Sequence, residues 1–165
     1  MAGDKGKPTA QSGNNPRPKL SLAQRRKARQ LILQALYQWL IAETDPLEIT
    51  NQFREETPGK MDWDYFQEVF LEIPKQQDSL DAHLKPLLDR KLEALDPIEK
   101  ALLYLGTFEL ANRIDVPYRV VINECVELAK KFGATDGHKY INGVLDKLVA
   151  SLRPAEFAAR RTARK

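Results

Sequence analysis

Twice the chain writes Asp-Pro-x-Glu, once as Asp45-Pro46-Leu47-Glu48 and once as Asp96-Pro97-Ile98-Glu99, and each copy admits one local structure. The Asp carboxylate accepts the unpaired N–H groups of a helix start, Pro fits the first helical position where no N–H is needed, and the Glu suits the positive end of the helix dipole. Ser21 with Gln24 marks another start, of the capping-box type. Asp62 precedes an apolar set of Phe66, Val69, Phe70 and Ile73, after which Pro74 should kink or break the helix before Leu80, Leu84 and Leu87 resume it. Tyr118, Val121, Ile122, Cys125, Ala129 and Phe132 form one helical stripe ended by Gly133 as a C-terminal cap. Ile141, Val144, Leu145, Leu148 and Leu152 repeat that spacing up to Pro154, with Asp136 as the expected N-cap. No segment alternates as a strand would. The reading is an all-α bundle of six or seven helices. The helix after Pro97 belongs at its centre, because Leu103, Leu105, Phe108 and Leu110 surround it.

Residues 1–20, rich in Gly, Pro, Asn and Lys, offer too little apolar surface to offset the entropy of ordering, so a disordered basic leader is expected there. Residues 21–153 form the folded domain, and 154–165 read as a basic C-terminal tail. The 165 residues suffice for a core without disulfides or metals. A lone Cys125 with only His83 and His138 beside it falls short of a zinc ligand set, so no metal or other cofactor is expected. There is no apolar run of spanning length and no signal-peptide core, and the chain reads as cytoplasmic.

The net charge of +3 is unevenly spread. Residues 1–29 carry eight Lys or Arg against one acid, and residues 153–165 carry five against one, whereas the body between them is acidic. Such a distribution suits one surface for an anionic partner and another for a basic one. Catalytic signatures are missing: there is no phosphate-binding loop, dinucleotide fingerprint, nucleophile elbow or paired-histidine motif. Cys125 lies on an apolar stripe, where a small buried hydrophobe belongs rather than a nucleophile. A binding protein, not an enzyme, is indicated.

The first helix sharpens that reading. Arg25, Arg26, Lys27 and Arg29 stand in its opening turns, where each cation opposes the dipole by roughly 0.3 to 1 kcal/mol at low salt. At about 100° per residue they encircle the helix, so this end is expected to project from the bundle while Ala28, Ile32, Ala35, Leu36 and Trp39 anchor the rest. An Arg-rich helix end behind a basic leader is suited to a phosphate chain, and Arg also stacks on bases.

Three blocks, RRKARQLILQALYQW from Arg25, DPIEKALLYLGTFEL from Asp96 and DVPYRVVINECVELAKKFGATDGHKYINGVLDKL from Asp115, resemble the NusB family of bacterial transcription antitermination factors. The likeness runs in order from Arg25 to Leu152, and the blocks INECVELAKKFG and NGVLDK are long enough to be specific. It implies two packed three-helix subdomains, no catalysis and two partners. These are ribosomal protein NusE and the single-stranded boxA RNA of nascent transcripts, met within an RNA polymerase antitermination complex with other Nus factors on ribosomal RNA operons. By position, the resemblance implies RNA contacts at Arg25, Arg26, Lys27 and Arg29 and at Asp136, Lys139 and Tyr140 in a segment that includes Gly137 and His138, with Tyr37 and Glu99 toward NusE. The sequence departs from the family at Lys27, where an Arg is common, and at Gly137 and Tyr140, where Ser and Phe are frequent. Leu87 stands where relatives carry an aromatic residue, which puts an RNA role for it in doubt. Two other readings are an RNA-recognition module like that at the front of some ribosomal RNA methyltransferases, disfavoured by the short remaining chain, and a protein–protein adaptor.

Overall fold

The computed structural model describes residues 21–163, so the basic leader and residues 164 and 165 lie outside the described residues. Among the described residues eight α-helices follow one another: α1 (Leu22–Ala42), α2 (Pro46–Glu56), α3 (Trp63–Lys75), α4 (Gln77–Leu84), α5 (Pro97–Asn112), α6 (Tyr118–Phe132), α7 (Gly137–Leu152) and α8 (Pro154–Ala163). Short 3-10 turns occupy Lys85–Leu87 and Leu92–Ala94. No strand occurs among the described residues.

Most of the starts are made as the residues dictate. Ser21 and Gln24 complete a reciprocal capping box, the Asp45 and Asp96 carboxylates accept the N–H groups of Leu47 and Ile98, and Asp62 accepts that of Tyr65. Gly133 caps the C-terminus of α6 as expected, its N–H donating to the Ala129 carbonyl; a Cβ there would lie 2.9 Å from that oxygen. One cap differs from expectation: Asp136 occupies the N-cap position of α7 without a side-chain cap bond and leans to Lys139, 3.5 Å away. Pro74 is carried inside the last turn of α3, and the break falls at Gln76.

The helix α5 is the hub, buried continuously from Ala101 to Leu110, and it packs against α1, α3 and α4 and also against α6 and α7. Gly106 permits the closest of these approaches: a Cβ there would fall 2.7 Å from Leu145 Cδ1 and 3.3 Å from Cys125 Sγ. The trios α1–α2–α3 and α5–α6–α7 are each mutually packed, and one continuous apolar core joins them. The helix α4 lies chiefly against α5 and only lightly against α3, and the second trio gains a fourth helix.

That fourth member of the second trio is α8, which raises the expected six or seven helices to eight. It begins at Pro154, a residue that ends one helix and suits the first position of another. Arg153, 3% exposed, donates to the carbonyls of Leu110, Glu109 and Arg113 at 2.7, 3.1 and 2.9 Å. These oxygens belong to the C-terminal end of α5, where a cation is favoured; those of Glu109 and Arg113 also accept the N–H groups of Arg113 and Val116, both at 2.9 Å. Glu156 pairs with Arg153 and accepts the backbone N–H of Tyr118 at 3.2 Å, so one ion pair serves the end of α5 and the start of α6. The segment read as a basic tail is therefore a docked helix as far as Ala163.

Candidate nucleic-acid interface

Three of the four cations that open α1, Arg25, Arg26 and Arg29, meet acids drawn from three other helices or their caps. Arg25 Nε lies 3.0 Å from Asp62 Oδ2, and its guanidinium sits 3.9 Å from the centroid of the Tyr65 ring. Asp62 thus uses one oxygen to cap α3 and the other to hold α1. Arg26 Nε donates to Glu124 Oε2 of α6 at 3.0 Å. Arg29 donates from Nε and Nη2 to both oxygens of Glu109 on α5, at 3.0 and 2.9 Å, and reaches the Tyr65 hydroxyl at 3.4 Å.

These contacts correct the expectation that the basic end stands clear of the bundle. Arg29 is only 3% exposed and Glu109 not at all, so Arg29 is an internal strut and not a surface phosphate contact. Burial works against its charge, but the carboxylate of Glu109 more than offsets that and raises the guanidinium's pKa. Arg25 is partly covered, whereas Arg26 and Lys27 remain exposed. Three of the four encircling cations are received by acids of other elements, information that no helical wheel of α1 alone contains.

Between α1 and α6 runs an open groove of about 860 Å³, lined by Arg26, Lys27 and Gln30 from one helix and by Glu124, Glu127, Lys130 and Lys131 from the other. Lys131 bridges the two walls by donating to Gln30 Oε1 at 3.2 Å. Four cations face two acids along it. The sequence does not single out Lys130 and Lys131, although a Lys-Lys pair in the last turn of an amphipathic helix is an available signal; in that turn they also suit the dipole.

The second predicted segment begins α7. Asp136 and Lys139 are exposed, Tyr140 is half-buried and Gly137 buried. Arg90, from the loop before α5, places its guanidinium 4.4 Å from the centre of the Tyr140 ring, and no sequence reasoning singled it out. Glu99 lies at the same end of the molecule: a Cβ on Gly137 would fall 3.2 Å from Glu99 Oε2. Partial burial and neighbouring Asp96 push the Glu99 carboxyl above its ordinary range, against the pull of Arg90. Leu87 is half-buried and packs against the core. Tyr37 is 41% exposed on α1, with Ile41 a turn later at 57%, a small apolar strip separate from the basic groove.

Cys125 is fully buried, points to the Leu102 carbonyl at 3.8 Å, and has its thiol pushed far up by burial. Among the described residues no group of three His, Cys, Asp or Glu is arranged to hold a metal, and no helix is long and apolar enough to cross a membrane.

Comparison with known proteins adds a family to this geometry. The family model for NusB matches residues 26–150. A transcription antitermination protein NusB of Pseudomonas putida (strain W619) is 55% identical over 138 residues, 83% of each chain. That of Hahella chejuensis (strain KCTC 2396) is 50% identical over 146 residues, 88% of this chain and 98% of its own. The structure of T. maritima NusB superposes with a TM-score of 0.67 at 26% identity over 75% of this chain and 89% of that one. A complex of the antitermination factors NusB and NusE with dsRNA contains a chain that superposes at 0.71, with 22% identity over 79% of this chain and 99% of that one, a likeness of fold. More than four-fifths of each of these relatives' chains is covered, and the family-model match takes in most of α1 and all of α6. This chain belongs to the NusB family.

Proposed function

We propose that the protein is a transcription antitermination factor that pairs with ribosomal protein NusE and binds single-stranded boxA RNA of nascent ribosomal RNA transcripts in the bacterial cytoplasm. It acts by binding, without catalysis of its own. The observation that carries this reading is the α1–α6 groove, where Arg26, Lys27, Lys130 and Lys131 outnumber Glu124 and Glu127 in a chain of this family. Arg25, Lys139, Tyr140 and Asp136 flank the path, with Asp136 opposing a phosphate rather than attracting it. Arg29 supports the surface from below through Glu109.

The NusE-facing surface is proposed at Tyr37, where an exposed ring and Ile41 offer an apolar anchor, and at Glu99, whose partly buried carboxylate suits a basic protein. A titration of labelled boxA-type RNA against scrambled RNA, with and without NusE, tests the whole. Tighter binding of boxA RNA, strengthened by NusE, is expected; equal affinity for both RNAs in both conditions overturns it.

A further inference from the structure

Arg90 sits outside the basic groove and outside every residue assigned so far. Its Nε donates to Asp89 Oδ1 at 2.9 Å, its guanidinium lies over the Tyr140 ring at 4.4 Å, and 42% of its side chain is still open to solvent. Two partners therefore fix the guanidinium plane without covering it. Lys85 and Lys91 join Arg90 around an open concavity of about 490 Å³, with Asp89 and Glu93 also on its wall.

The chemistry of this trio differs from that of a phosphate hook. Asp89 neutralises the cation it holds, and the hydrogen bond from Arg90 keeps the Asp89 carboxyl below its usual range, so little net charge is left to attract a phosphate. What remains is an oriented, weakly hydrated plane backed by an aromatic ring, the surface on which an unpaired base stacks. Lys85, Lys91 and Lys139 supply the charge that would hold the adjoining backbone.

We propose that Arg90, tethered by Asp89 and stacked on Tyr140, is a platform for one nucleobase of single-stranded RNA. This rests on the RNA-binding reading above and adds a base contact that the basic residues alone do not provide. A Lys at position 90 keeps the charge and loses the plane, so Arg90→Lys separates stacking from electrostatics.

The test uses the full chain and a set of single-stranded RNAs of one sequence, each with a single abasic position. Wild-type protein should lose about ten-fold in affinity at one abasic position served by Arg90. The R90K variant should lose about the same on intact RNA, with an unchanged slope of log affinity against log salt, and should be indifferent to that abasic position. Thermal unfolding checks that the exposed substitution leaves the fold intact. If R90K binds intact RNA as tightly as wild type, or weakens while every abasic position keeps its wild-type cost, the platform is overturned and RNA binding itself stands. If wild-type protein binds none of the RNAs, the reading beneath it falls as well.

Discussion

Replacing Glu124 by Gln is expected to tighten RNA binding, because in the free protein this acid occupies a cation that RNA needs. Arg26 and Glu124 are 3.0 Å apart, with side chains 67% and 14% exposed. A phosphate taking the place of Glu124 on Arg26 would lie about 6 Å from the abandoned carboxylate, where two like charges repel by roughly 0.7 kcal/mol in water and by more at the reduced effective dielectric of a partly covered site. Gln removes that repulsion and releases Arg26, while the ion pair that is lost contributes at most about 1 kcal/mol to the fold. Affinity for a short single-stranded RNA should rise about five-fold at low salt. The gain should shrink as added salt shortens the Debye length below its value of about 10 Å at 0.1 M. Fluorescence anisotropy at two salt concentrations, on wild type and Glu124→Gln in wild-type and Arg26→Ala backgrounds, measures both parts. The gain should be smaller where Arg26 is absent. Unchanged or weaker binding by a well-folded Glu124→Gln variant refutes the competition between carboxylate and phosphate.

Arg29→Ala leaves Glu109 charged and buried, so thermal or urea unfolding should show a loss of about 3 to 5 kcal/mol, and a loss below 1 kcal/mol would show that the buried pair is dispensable. Asp136→Asn should tighten RNA binding by about two-fold at low salt, because this exposed acid makes no cap bond and instead occupies Lys139; weaker binding would mean that the carboxylate accepts hydrogen bonds from RNA. Glu99 has a raised pKa in the folded state, so folding binds its proton more tightly and stability is lost as pH climbs through the carboxylate range. Glu99→Gln should therefore raise the melting temperature near pH 7 and leave it unchanged at about pH 3, and the same increment at both pH values would exclude ionisation as the cause.

The helices were legible because their signals are local. A cap and a 3.6-residue stripe are read within a dozen residues, which is why Ser21, Asp45, Asp62 and Asp96 stand at helix starts and the Cys125 and Leu145 stripes face the core. The surface chemistry was legible only in part because it depends on pairs far apart in the chain. Nothing near Arg29 announces Glu109, and nothing near Arg26 announces Glu124; both acids look like polar-face residues until α5 and α6 are folded against α1. Arg90 was invisible for the same reason, since its ring partner comes from a helix fifty residues later. Position 154 was misread by a different route: Pro signals both an end and a beginning, and only the buried Arg153 before it tells which.

The Arg153 contacts also set an order of events during synthesis. Synthesis runs from the N-terminus while a domain folds as a unit, so the residues of α5 are made well before Arg153, which donates to its last carbonyls and follows Arg113 by 40 positions. Until then the Leu110 carbonyl lacks this donor, whereas those of Glu109 and Arg113 can already accept the N–H groups of Arg113 and Val116, both at 2.9 Å. The final segment is thus the closing piece of the fold and not an appendage, and a ribosome stalled before it would hold a bundle whose central helix is still unfinished at one end.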